Sequence, residues 1–149
     1  PLLRRSAPSA IVNVSSMSQR QIDFHDLMLE RHYDPQAAYG QSKLALIMMT
    51  MDLAEELKDD SITVNAVHPG NLLNTKMVRE AFGHGWGDPQ EGADAVIKTV
   101  TSSLREGVTG RFFAQGHEAT AHPQAYDLHA RNMLRELSLR FTRMFYKRP

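Results

Sequence analysis

Apolar positions along this chain alternate between two periods, and the alternation sets out the elements. The run "AIVNV" at 10–14 is short, rich in β-branched residues and flanked by Pro8 and two serines, which predicts a strand buried on both faces. Over 36–57 the period changes to that of a helix. Ala37, Leu44, Ile47, Met48, Met51 and Leu53 or Ala54 form its apolar face, and Glu55, Glu56 and Lys58 mark its wet end. "ITVNAV" at 62–67 predicts a second strand, stopped by "HPG". A further helix starts at about Pro89 with Asp88 as N-cap, and its spacing turns Ala93, Val96, Ile97 and Val100 toward the core. "GRFFAQ" at 110–115, bounded by glycines, predicts a third strand. A last helix over 123–145 carries Leu128, Leu134, Leu137 and Phe141 and ends in the basic "TRMFYKRP".

Two stretches lack a period. Residues 16–35 make a connection too long for a compact turn, which points to a functional loop with one short helical turn around 27–31. Residues 71–88 read as a lid. Strands separated by long helices require crossover connections and hence a parallel sheet in an α/β fold. Only three strands are predicted, and the chain opens almost directly into the first. That pattern predicts the carboxyl-terminal half of a doubly wound parallel sheet, with its first strands missing, so that residues 1–149 form one partial domain.

Composition narrows the partners. At 149 residues the chain is long enough for one core. Lys plus Arg equals Asp plus Glu at 17 each, so no net field steers it to polyanions, and no nucleic-acid partner is expected. There is no cysteine, which removes thiolate chemistry, and the seven histidines are scattered without a metal-binding spacing, so no metal site is expected. With no long apolar run, membrane contact is not expected and the chain reads as a soluble, cytoplasmic protein or a piece of one.

The chemistry begins at "YGQSK". Tyr39 and Lys43 are four apart, so a helix puts phenol and ammonium on one face. A free phenol holds its proton too tightly to act as a base near neutrality, and a nearby cation favours the phenolate. Taken alone the pair is also an ordinary solvent-facing pair. Ser15 and Ser16 follow the first strand at its carboxyl end, where open parallel sheets bind ligands, although a turn serine reads the same way. His68, Pro69 and Gly70 close the next strand at the same edge. Three elements at one edge of one sheet make a candidate site.

Together "IVNVSS", "YGQSK" and "ITVNAVHPG" resemble the short-chain dehydrogenase/reductase family, over about 10–139, as the carboxyl-terminal half of its Rossmann-type domain. The resemblance implies a nicotinamide cofactor, NAD or NADP, and interconversion of an alcohol with a ketone or aldehyde. It implies that Ser16 orients the substrate carbonyl, that Tyr39 is the general acid or base, and that Lys43 lowers the phenol's proton affinity and holds the nicotinamide ribose. Asn65 would be structural support, and Pro69 and Gly70 would shape the nicotinamide edge. The long loop with "IDFHDL" and the tail pattern of Asp127, Ala130, Arg131, Leu134, Leu137 and Ser138 are similar to the retinol dehydrogenase and WW-domain oxidoreductase branch, whose members act on apolar molecules such as retinoids and steroids. As partners this implies a small apolar carbonyl or alcohol, together with a second copy of the chain or an absent amino-terminal half.

Two departures qualify the resemblance. The family places a threonine five residues after the proline of "PG". Here Asn74 holds that position and Thr75 follows, and either can bond the cofactor carboxamide. The glycine-rich phosphate loop does not occur in the chain, and "GHGWG" at 83–87, read as a flexible part of the lid, follows no strand and cannot replace it. The chain alone is therefore expected to have little or no dehydrogenase activity, and a non-enzymatic remnant or interaction module is the alternative reading.

Overall fold

A computed structural model describes residues 1–146, with side chains to Thr142. Lys147, Arg148 and Pro149, which close the predicted basic end, lie outside the described residues. Helix α1 (Leu2–Arg5) leads into strand β1 (Ser9–Val14), and α2 (Pro35–Leu57) with a 3-10 turn (Lys58–Asp60) returns to β2 (Ile62–His68). Helices α3 (Lys76–Phe82) and α4 (Pro89–Glu106) precede β3 (Phe112–Ala114) and β4 (His117–Ala119). A 3-10 turn (Pro123–Tyr126) and α5 (Leu128–Tyr146) complete the order.

The strands lie in the order β1-β2-β3-β4, the first three parallel and β4 antiparallel. This corrects the predicted three-stranded parallel half-sheet with its first strands missing: the described residues form a mixed Rossmann-type sheet of four strands, and β1 stands in place at its edge. The added strand comes from turn chemistry. Gln115 and Gly116 take φ of 51° and 77°, two successive left-handed residues that suit a tight hairpin, and Ala114 pairs directly with His117. His117, Glu118 and Ala119 have little strand propensity, so the sequence pattern ends at the glycine.

Helix α2 begins as its sequence dictates: Asp34 caps it, with Oδ1 accepting from Ala37 N at 2.5 Å, and Pro35 occupies the first turn. Its buried face holds Ala37, Leu44, Ile47, Met48, Met51 and Ala54, as the periodicity predicts. Leu44, Ile47 and Met48 meet Phe112, Ala66 and Leu134 in the main core, where each buried large side chain contributes about 1.5–3 kcal/mol. Ala54 and Leu57 pack on Ile62 and Val64. The intervening Asn65 points the other way and bonds Ser103 of α4, so α2 and α4 cover opposite faces of β2. Both crossovers, β1 to β2 and β2 to β3, step in the same direction across the sheet. Passing over opposite faces, they have opposite hands, and one of them departs from the usual right-handed rule.

Helix α4 starts at Asp88 and Pro89 as predicted, but a different face is buried. Ala95, Thr99 and Ser103 are buried on the sheet side and Gly92 against Leu73, while Ala93 is exposed and Ile97 is 58% exposed. Small residues let the helix lie close to the strands, and the hydroxyls are satisfied within the helix: Thr99 Oγ1 donates to Ala95 O at 2.9 Å and Ser103 Oγ to Thr99 O at 2.6 Å. The predicted last helix is divided at Asp127, whose Oδ1 accepts from His129 N at 2.8 Å and Ala130 N at 3.2 Å, so Leu128 sits exposed at the new start. Ala130 and Leu134 then pack on α2.

Candidate active site

The carboxyl ends of β1 and β2 and the first half of α2 meet at one edge. Ser15 N donates to Val67 O at 2.7 Å, carrying the β1 ladder one residue past the strand. The Ser15 hydroxyl donates to Lys43 O at 2.8 Å, and Lys43 Nζ reaches back to Val14 O at 3.3 Å. These two bonds lock the strand end to the helix turn that carries the lysine. Lys43 Nζ lies 5.4 Å from the centroid of the Tyr39 ring, and Tyr39 is 43% exposed at the open edge. Ser16 is 6% exposed; its Oγ accepts from Ser18 N at 3.0 Å, which leaves the hydroxyl proton to donate.

Residues 16–34 lead away from this edge and are tied to α2 at Gly40 and to residues 122–124. The predicted helical turn at 27–31 is instead a turn built by Asp26, whose carboxylate accepts from the amides of Glu30 and Arg31, with Leu29 left-handed at φ 54°. Ile22 is buried in the core, with Phe24 and Leu27 packed beside it. Gln124 holds Ile22 from both sides, its Oε1 accepting from Ile22 N at 2.7 Å and its Nε2 donating to Ile22 O at 3.2 Å.

After β2, Pro69 and Gly70 line a cleft of about 410 Å³ with Asn71, Leu73, Gly87 and the first turns of α4. Its base is pinned by Leu73, a residue the sequence pattern does not single out. A Cβ at Gly70 or Gly87 would come within 2.9 Å of Leu73 Cδ2, and one at Gly92 would collide with Cδ1. Leu73 thus sits in a socket of three glycines, and Asn74 N donates to Gly87 O at 2.8 Å to close the loop. A Cβ at Gly85 would strike the Asn74 backbone, so these glycines of "GHGWG" serve close approach. Trp86 stays exposed, with the His84 ring edge-on at 4.1 Å.

Asn74 and Thr75 have different duties. Thr75 Oγ1 caps α3, accepting from Val78 N at 3.4 Å. Arg79 donates to both Asn74 O at 2.8 Å and Asn74 Oδ1 at 3.1 Å, which turns the amide NH2 to its donor role. His68 is 5% exposed and its Nε2 is buried without a partner; burial holds its pKa below 6.5, partly offset by the side chain of Asn71. Among the described residues no cluster of side chains could hold a metal ion, and no helix is long and apolar enough to cross a membrane.

A family model for short chain dehydrogenases matches residues 1–84. Human retinol dehydrogenase 14 is 38% identical over 141 residues, covering 85% of this chain and 42% of that protein. Human retinol dehydrogenase 11 is 36% identical over 134 residues, covering 83% and 42%. Among solved structures, the Pseudomonas aeruginosa RhlG/NADP active-site complex superposes with a TM-score of 0.55 at 28% identity, covering 76% of this chain and 49% of that one. The chain thus spans about 42% of the length of these curated relatives. The resemblance is not, as the motifs suggest, that of a carboxyl-terminal half entered at Ala10: the family match takes in residue 1, α1 and β1.

Proposed function

We propose, from the premise that this chain belongs to the short chain dehydrogenase family, that its residues serve a nicotinamide-dependent oxidoreductase that interconverts an apolar alcohol and its carbonyl. The observation that carries the reading is the Tyr39–Lys43 pair at the carboxyl end of β1, with Lys43 fastened to both Val14 and Ser15, the residue before Ser16. In the oxidative direction Tyr39 takes the alcohol proton, and the Ser16 hydroxyl donates a hydrogen bond to the same oxygen as it becomes a carbonyl. Lys43 places its positive charge beside the Tyr39 ring. In reduction the same groups act in reverse, with Tyr39 as acid.

The residues present suit the nicotinamide end of NAD or NADP. Lys43 uses one donor on Val14 O and retains others for ribose hydroxyls. Asn74, oriented by Arg79, offers its NH2 to the carboxamide in preference to Thr75, whose hydroxyl caps α3. Pro69 and Gly70 form the wall on which the ring would rest. The cofactor supplies or accepts the hydride. The names of the retinol dehydrogenases and the NADP complex favour an apolar alcohol and leave both cofactors to be tried.

A second reading has one feature behind it: the 149 residues include no glycine-rich phosphate loop. Positioning errors of about 1 Å cost roughly a hundredfold in rate, so we propose that these residues by themselves transfer hydride slowly or not at all and act there as a binding or interaction unit. The deciding assay follows nicotinamide absorbance with retinol and simple apolar ketones, for these 149 residues and for the protein its natural gene encodes. Turnover in the latter that Tyr39→Phe abolishes supports the enzyme reading. Turnover indifferent to Tyr39 removes it, and ordinary rates from the 149 residues alone remove the second.

A further inference from the structure

Gln19 lies three residues past Ser16, in a loop with no regular structure, and its side-chain amide joins two parts of the chain that are far apart in sequence. Its Nε2 donates to Ser16 O at 2.9 Å, and its Oε1 accepts from His122 N at 2.7 Å. The two bonds fix the amide's orientation, since only this one matches a donor to the carbonyl and an acceptor to the amide. His122 is itself held, as N-cap of the 3-10 turn that contains Gln124, its Nδ1 accepting from Gln124 N at 3.2 Å. Gln124 in turn clasps Ile22 on both its amide and its carbonyl. The serine loop is therefore tied to 122–124 at two points, and only the Gln19 tie ends on Ser16.

We infer that Gln19 is a positioning residue for Ser16, setting where its hydroxyl meets the substrate oxygen. The inference rests on the oxidoreductase reading above. The physical ground is that Ser15 before it and Arg20 after it are fastened to the sheet and α2, while between them the Ser16 carbonyl is held by Gln19. Its Oγ is held by Ser18 N within the same loop, which moves with it, and the β1 ladder ends one residue earlier at Ser15. The Ser16 carbonyl is bonded by the Gln19 amide three residues on, and the far end of that amide is anchored at His122. Freed from it, the Ser16–Ser18 turn can shift between its anchors at Ser15 and Arg20 without breaking its internal bond, and the hydroxyl shifts with it.

The two bonds can be separated by chemistry. Gln19→Glu keeps an acceptor for His122 N but replaces the donor toward Ser16 O with a carboxylate oxygen, which repels it. Gln19→Leu removes both. Gln124→Leu loosens the loop at Ile22 without touching Ser16. These variants, made in the protein its natural gene encodes, are compared by steady-state kinetics and by amide hydrogen exchange. For Gln19→Glu the expectation is a fall in kcat of about tenfold to a hundredfold with the cofactor KM unchanged. Exchange rises at 16–20 and not in β2. Gln124→Leu is expected to raise exchange around Ile22 and to lower kcat less than Gln19→Glu does. A wild-type kcat in Gln19→Glu, or a loss in Gln124→Leu as large, overturns the inference. If the unaltered protein turns over no alcohol or carbonyl, the functional reading fails by itself. Exchange then decides the tether: faster exchange at 16–20 in Gln19→Glu upholds it and unchanged exchange overturns it.

Discussion

Gly40 and Arg20 meet backbone to backbone: Arg20 N donates to Gly40 O at 3.1 Å, and a Cβ on Gly40 would lie 2.8 Å from Arg20 Cβ and 3.2 Å from Arg20 N. This contact seats the serine loop on α2 immediately beside Tyr39. Neither clashing atom is the free end of a side chain, so Gly40→Ala forces loop and helix apart. The expected cost is about 1–3 kcal/mol of stability, with a fall in kcat because Ser16 and Tyr39 no longer share one frame. Urea unfolding and turnover check both; an alanine variant with unaltered midpoint and rate would mean that the loop yields freely.

Tyr39→Phe separates chemistry from folding. The ring stays and only the phenol oxygen is lost from a side chain already 43% exposed, so the unfolding midpoint is expected to hold. With Tyr39 as the proposed general acid or base, its loss should lower kcat by about a hundredfold to ten-thousandfold. Stopped-flow and steady-state assays at saturating cofactor measure it. A phenylalanine variant retaining most of its rate would place the proton transfer elsewhere.

The candidate edge was legible in sequence because its residues are local signals: Ser16 follows a β-branched run, Tyr39 and Lys43 obey the helical repeat, and Pro69–Gly70 punctuates a strand. What was not legible depends on distance in sequence. Gln19 and Gln124 become meaningful only when residues a hundred positions apart are brought together. Leu73 looks like any loop leucine until Gly70, Gly87 and Gly92 converge on it. The α4 face was misjudged because periodicity ranks Ile97 and Val100 as core, while close approach selects Gly92 against Leu73 and Ala95, Thr99 and Ser103 against the sheet. β4 escaped because its pairing comes from the Gln115–Gly116 turn and not from its own residues.

Asn65 is completely buried in β2 and holds α4 and the strand after it. Its Nδ2 donates to Ser103 Oγ at 2.8 Å and Val108 O at 2.7 Å, and its Oδ1 accepts from Arg111 N at 2.9 Å. Asn65→Leu keeps the same branching at Cγ and leaves Val108 O and Arg111 N without this partner, while Ser103 Oγ retains Thr99 O. A loss of about 2–4 kcal/mol is expected, read from the denaturation midpoint. A loss no larger than that of an ordinary surface substitution would show that water reaches the freed groups.

Asp52 and Arg131 join α2 to α5. Arg131 Nε and Nη2 lie 2.7 and 2.6 Å from one carboxylate oxygen, with side chains only 24% and 15% exposed. Partial burial limits screening by salt, so a double-mutant cycle of Asp52→Ala and Arg131→Ala is expected to give a coupling of about 1–3 kcal/mol. Raising salt to 1 M should reduce it only in part. A coupling that vanishes at 1 M would place the pair with solvent-screened surface bridges.

His68 makes stability depend on pH in a defined sense. Burial in the folded chain holds its pKa below the ordinary 6.5, with Asn71 offsetting part of the effect. As pH falls through about 6.5 the unfolded chain takes up a proton that the folded chain refuses, so the unfolded state is favoured. The contribution is therefore fully present above 6.5 and is lost progressively as pH falls toward the lowered folded value. The slope from this single group cannot exceed about 1.4 kcal/mol per pH unit. The measurement is the unfolding free energy of wild type and His68→Leu between pH 8 and 5, where subtraction cancels the other histidines. Wild type should lose stability relative to the variant on acidification. A difference that stays level would mean that His68 titrates equally in both states, and one that grows in favour of wild type would reverse the sign of the shift.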